Sequence, residues 1–180
     1  MIRVGYRGYG SEGNFAEDPR FVENIKGAKN AGLKVGVYFF TQAVNDREAI
    51  DEANWVLEKV KPYKLDYPIA IDVEFSSEDY HNGRADHLDK ETRTRLVQKF
   101  CKIIQQNGYM PMVYLNVDWT KNYVDMSKLT DYDVWIAHYK NDINSSPNYN
   151  GSYNMWQYTS FGRVNGLSGD VDCNVCYKTY

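Results

Sequence analysis

Pro68-Ile69-Ala70-Ile71-Asp72-Val73-Glu74 is an apolar run of strand length that ends in two carboxylates spaced i, i+2. Side chains two apart on a strand leave the same face, so Asp72 and Glu74 are expected to project together from its carboxyl end. Carboxylates crowded in this way oppose each other's ionisation, and partial burial raises at least one pKa. That is how a glutamate becomes a proton donor near neutral pH. Taken alone, the same spacing also describes a strand that merely ends in solvated acids, so the surrounding chain has to decide.

Outward from this segment, strands alternate with helices. Ile2 to Gly5 is short and β-prone, and a Gly-rich loop follows through Gly13. Asp18 is positioned to cap a helix with Pro19 at its first position and Phe21, Ile25 and Ala28 on one face, ended by Gly32. Lys34 to Phe40 reads as the second strand. Asn45 and Glu48 have capping-box spacing for a helix that turns Ala49, Ala53, Val56, Leu57 and Val60 inward. After Pro68 to Glu74, a polar loop from Phe75 to about Leu88 precedes a helix with Leu96, Phe100, Ile103 and Ile104 on one face, closed by Gly108. Met110 to Leu115 is the fourth strand. Val134 to Ala137 and Met155 to Tyr158 are strand-like, but too little chain separates them for a full crossover helix.

Repeated strand, helix, strand units require parallel pairing, in an open doubly wound sheet or a closed barrel. Strand midpoints near Arg3, Val37, Ile71 and Val113 repeat at the length of one βα unit, which favours a TIM-like (β/α) barrel, irregular in its last third. The glycines at Gly8, Gly10 and Gly13 open no helix directly and miss the dinucleotide spacing of the alternative. In a parallel barrel the strand carboxyl ends converge, so Asp72 and Glu74 are expected to meet Tyr38, Phe40, Tyr114, Asn116, Trp135 and His138.

Composition sets bounds on function. A chain of 180 residues, 43% hydrophobic and 25% charged, fits one domain over 1–180. No apolar run could span a bilayer, and Met1 to Gly5 lacks the regions of a signal peptide. A net charge of −3 with interspersed signs argues against a nucleic-acid partner. Three cysteines cannot all pair internally, and Cys173 with Cys176 lacks a second ligand cluster, so the cysteines read as apolar filler. Aromatic residues make up 15% with sixteen tyrosines, which suits a groove that stacks sugar rings.

Several ordered motifs resemble glycoside hydrolase family 25, the lysozyme-type muramidases. Ile2-Arg3-Val4-Gly5-Tyr6 is similar to that family's second strand, and Ile25 through Tyr38 to its first helix-to-strand junction. Ile71-Asp72-Val73-Glu74 is similar to its Asp-x-Glu catalytic strand. Met155 to Ser160, Gly162 to Val164 and Gly166 to Asn174 follow its closing pattern. The resemblance implies cleavage of peptidoglycan between N-acetylmuramic acid and N-acetylglucosamine, outside the cell or in the cell wall. It implies Glu74 as the acid, Asp72 as its charged neighbour and Asp172 as a further carboxylate in the cleft. Arg3, Tyr38, Tyr114, Trp135 and Gln157 are the expected substrate-binding residues, with peptidoglycan glycan strands as partner and no cofactor.

One departure stands beside the match. The family usually opens with another aspartate-bearing strand, whereas this chain begins at what resembles strand two. The expectation is therefore a barrel missing its first strand, with self-association through the exposed edge. Two other readings stay open: a sugar-binding barrel that has lost turnover, and a metal-dependent hydrolase with Asp72, Glu74 and His138 as ligands.

Overall fold

The computed structural model describes residues 1–77 and 79–180. Among these residues eight strands form one sheet: β1 (Ile2–Arg7), β2 (Phe15–Glu17), β3 (Val37–Phe40), β4 (Ile69–Asp72), β5 (Pro111–Asn116), β6 (Asp133–Ala137), β7 (Met155–Gly162) and β8 (Val171–Cys176). Their spatial order is β2-β1-β3-β4-β5-β6-β7-β8. The pairs from β1 through β7 are parallel, while β2 and β8 add antiparallel at the two ends. If flat, the sheet would hold Tyr38 on β3 and Trp135 on β6 about 14 Å apart, three strand spacings. Their rings meet edge to face with centroids 6.3 Å apart, so the sheet is strongly curled. This is the expected α/β barrel-like architecture, but no backbone ladder joins its two ends among the described residues.

Helices α1 (Phe21–Asn30), α2 (Asp46–Val60) and α3 (Lys90–Gln106) cover the outer face. The Asn45 start signal and the glycine stops act as the sequence implies, whereas Asp18 does not cap α1, whose N-cap position is Arg20 with no side-chain cap bond. The Asn45 side chain accepts from Glu48 N–H at 3.0 Å, and Asp89 accepts from Thr92 N–H at 2.8 Å. Gly32 and Gly108 take φ of 74° and 82°, and the following Leu33 and Tyr109 donate back to Ala28 and Ile104. Both helices thus end in a Schellman motif that needs a glycine. Asp18 accepts from Arg20 N–H at 2.8 Å, although α1 begins only at Phe21. The main core lies between helices and sheet and includes Phe21, Ile25, Phe39, Val56, Ile71, Phe100 and Leu115. Inside the barrel a smaller cluster, Ala70, Met112, Trp135 and Met155, is closed from below by Tyr67 and Tyr180.

Three expectations need correction. The edge of β1 is not left bare: the chain folds back after Arg7, and β2 pairs with Gly5 to Arg7, while Asp18 N–H bonds Val4 C=O. That removes the long unpaired edge from which self-association was expected. The Lys34 end of β3 is also not in the ladder, because Val35 N–H donates to the Asp66 carboxylate at 3.1 Å. Finally, only Cys101 is fully buried filler. Cys173 and Cys176, three apart on β8, are half-buried and face opposite ways. Between β6 and β7 no helix intervenes; Tyr149, Tyr153 and Tyr158 pack on Val134, Ile136 and Trp156 in its place.

Candidate active site

The end of β4 carries the site. Its register places Phe40, Asp72, Tyr114 and Trp135 side by side on four adjacent strands. Asp72 is buried, at 6% exposure, and Val73 is buried toward the helices. Glu74 lies just past the strand and is exposed. The Asp72 carboxyl is pushed well above the ordinary aspartate range, first by burial and then by the negative charge of Glu74, with Arg3 opposing. Its Oδ1 has no hydrogen-bond partner among the described residues. Burial beside a like charge favours the neutral carboxyl, so the affinity for a proton is raised at the buried member of the pair.

Above the pair opens a cleft of about 430 Å³ lined by Tyr38, Asp72, Glu74, Tyr114, Trp135, Tyr139, Gln157, Asp172 and Asn174, with Met1 at its seam. The Tyr114 and Tyr139 hydroxyls both donate to Gln157 Oε1, at 2.7 and 3.0 Å. With both oxygen lone pairs occupied, the Gln157 amide keeps its N–H groups as donors. Trp135 Nε1–H donates to Asn174 Oδ1 at 2.8 Å, and its ring meets both Tyr38 and Tyr114. Burial and the nearby Asp72 push the Tyr38 hydroxyl up to about 12. Tyr114 is raised further by the same causes, and both stay neutral donors at any working pH. Partial burial also raises Asp172, which enters from β8.

Of the expected residues, Asp72, Glu74, Tyr38, Tyr114, Trp135, Gln157 and Asp172 therefore share one cleft. Arg3 stands off at its rim, in an adjoining depression with Tyr6, Tyr9, Phe40 and Phe75, and its Nε–H bonds Asp18 at 2.6 Å. On the other side of Glu74 the groove continues past Asn116, Asp118, Lys121, His138 and Asn148. His138 Nδ1 accepts from Asn148 N–H at 2.9 Å. Among the described residues no three His, Cys, Asp or Glu side chains gather as a metal-ligand set, so His138 does not join the carboxylate pair. Tyr139 and Asn174 were not anticipated. The alternation Asp172, Asn174 on a strand could have signalled the second of them.

A carboxylate pair of this kind, set in a groove at the carboxyl end of a parallel barrel, suits general acid–base chemistry on a bound polar ligand. The family model for glycosyl hydrolases family 25 matches residues 9–167, and the chain belongs to that family. It is 32% identical over 162 residues to the autolytic lysozyme of Clostridium acetobutylicum, covering 90% of this chain and 45% of the relative. Among solved structures it is similar to the modular autolysin LytC of Streptococcus pneumoniae, with TM-score 0.78 and 30% identity over 96% of this chain and 39% of that one. The same autolysin in complex with a synthetic peptidoglycan ligand matches with TM-score 0.77 and 29% identity, over 95% and 38%. The chain thus spans less than half the length of these relatives.

Proposed function

We propose that this chain is a muramidase domain that hydrolyses the β-1,4 bond between N-acetylmuramic acid and N-acetylglucosamine in peptidoglycan. The observation that carries the reading is the unequal placement of two carboxyls on one strand end: Asp72 buried with a raised pKa, Glu74 open to the cleft. Between them the pair holds a proton. Glu74, the member that reaches substrate, takes up that proton from Asp72 and delivers it to the leaving glycosidic oxygen. Two negative charges then face the positive anomeric carbon. Asp72 accepts from the N–H of the substrate's acetamido group, whose carbonyl oxygen attacks that carbon. Water, deprotonated by Glu74, opens the resulting ring and the configuration is retained. Tyr38, Tyr114, Trp135 and Gln157 bind the sugar, Asp172 lines its path, and Arg3 sits at the groove's rim.

Family membership and the autolysin solved with a peptidoglycan ligand support glycan strands as the partner and the cell wall as the place of action. Glu74→Gln keeps the shape of the side chain but cannot donate a proton. Reducing-end release from purified peptidoglycan should fall by about 100- to 10,000-fold with folding intact. Wild-type-like turnover in this variant would remove Glu74 from the mechanism. Cell-wall binding without turnover by either protein would make the domain a binding barrel instead.

A further inference from the structure

We infer that Asp86 is a positioning residue for the carboxylate pair: its buried carboxylate holds Ser76, two residues beyond Glu74, and so fixes where Glu74 stands relative to Asp72. The kinetic consequence rests on the muramidase reading; the geometry does not.

The chain leaves the sheet at Val73, whose N–H still donates to Tyr114 C=O at 3.0 Å. Glu74 comes next, beyond the ladder. Downstream, Ser76 donates its N–H to both Asp86 oxygens, at 3.1 and 3.3 Å, and its hydroxyl to Oδ2 at 2.6 Å. Gly83 N–H adds a bond to Oδ2 at 2.9 Å, and Asp86 is only 5% exposed. A Cβ on Gly83 would lie 2.5 Å from the Ser76 side chain, so this close approach requires glycine. Burial alone would raise the Asp86 carboxyl, but the bonds from Ser76 and Gly83 outweigh it and hold it below the ordinary range. It therefore stays an ionised, acceptor-only group, matched to donors on every side.

Asp86 can hold Ser76 because it is itself held. Arg93 Nη2 donates to the Asp86 and Leu88 carbonyls, both at 3.1 Å. Arg84 forks onto Glu48 with bonds of 2.9 and 3.0 Å, and Ala85 N–H reaches Gln42 Oε1. Between Glu74 and Ser76, the Phe75 ring packs against Trp119 and Tyr123, and the Arg93 guanidinium lies over Trp119 at 4.6 Å. Strand, loop and α3 thus close a circuit around two residues.

The test uses Asp86→Asn, which turns an amide N–H₂ toward donors, and the milder Ser76→Ala, which removes one hydroxyl bond. Misplacing a catalytic group by about 1 Å can cost roughly 100-fold, so kcat on peptidoglycan should drop by about 10- to 100-fold in Asp86→Asn, with KM nearly unchanged. The drop should be smaller in Ser76→Ala. Carboxyl NMR should show the Asp72 titration midpoint moving down as Glu74 drifts from it, with Arg3, Tyr38 and Tyr114 as its other neighbours. Turnover falling only in proportion to folded protein, with an unmoved Asp72 midpoint, would overturn the inference. A moved midpoint in a protein whose wild type shows no turnover would uphold the brace and reject the muramidase reading.

Discussion

At the scale of single residues, the site is a compromise between proton storage and stability. Asp72 sits where its charged form is disfavoured, so the folded state binds a proton more tightly than the unfolded chain does. The sign follows from linkage: stability attributable to Asp72 is intact below the unfolded pKa of about 4 and is lost as pH rises toward the raised folded value. Asp72→Asn should therefore melt higher than the wild type at pH 7. Each kcal/mol of relief is worth about 2 to 4 °C in a domain of this size. The advantage should fade as the pH of the melting scan approaches 4. A variant that melts lower at neutral pH would show that the Asp72 carboxyl is stabilised by contacts an amide cannot make. Activity should be lost in the same variant, since the stored proton and the partner of the acetamido group go together.

At the scale of elements, α2 is tied to β1 by a buried ion pair. Arg7 Nε–H donates to Glu52 at 2.9 Å, with Arg7 7% exposed and Glu52 fully buried. Thr41 Oγ–H and Gln42 N–H also donate to Glu52. Burial nevertheless pushes Glu52 up to about 7, the bonds from Thr41 and Arg7 only partly offsetting it. Arg7→Ala should destabilise by about 3 to 5 kcal/mol, because it strands a buried carboxylate. Asn45→Ala, which removes only the α2 cap, should cost about 1 kcal/mol. Urea denaturation of both variants checks the ranking, and equal effects would mean that the pair is no more than a surface contact. The helices were legible in the sequence because their caps, glycine stops and apolar stripes are local. Glu52 was not: it falls on the same helix face as Ala49 and Val56, but its partner Arg7 lies on β1, 45 residues away in sequence. For the same reason the pairing of β8 was not legible. Asp172 and Asn174 are poor strand formers, and only pairing with β7 makes the segment a strand. The three-residue β2 depends likewise on a partner outside its own sequence. The carboxylate pair was readable from strand alternation, but which member would be buried depended on where the ladder stops. Tyrosine content misled in part: Tyr149, Tyr153 and Tyr158 cover a sheet face rather than a groove.

At the scale of the whole molecule, the sheet has a protected middle and two modest ends. β4 is flanked by parallel partners on both sides, whereas β2 and β8 each pair once. Hydrogen exchange should find Ala70 and Ile71 protected roughly tenfold or more above Ala16 and Val171. Uniform protection across all four would mean that the two ends of the sheet are in fact zipped together. The last residue lies at the pole opposite the carboxylates. The Tyr180 hydroxyl donates to Asp133 at the start of β6 at 2.8 Å, and its ring leans on Tyr67 with centroids 5.2 Å apart. Lys178 joins it on the same aspartate at 2.8 Å. A tether or solid support attached through this terminus would grip the barrel from beneath. The groove would then face away from the attachment, with its whole length left open to anything too large to enter a pocket.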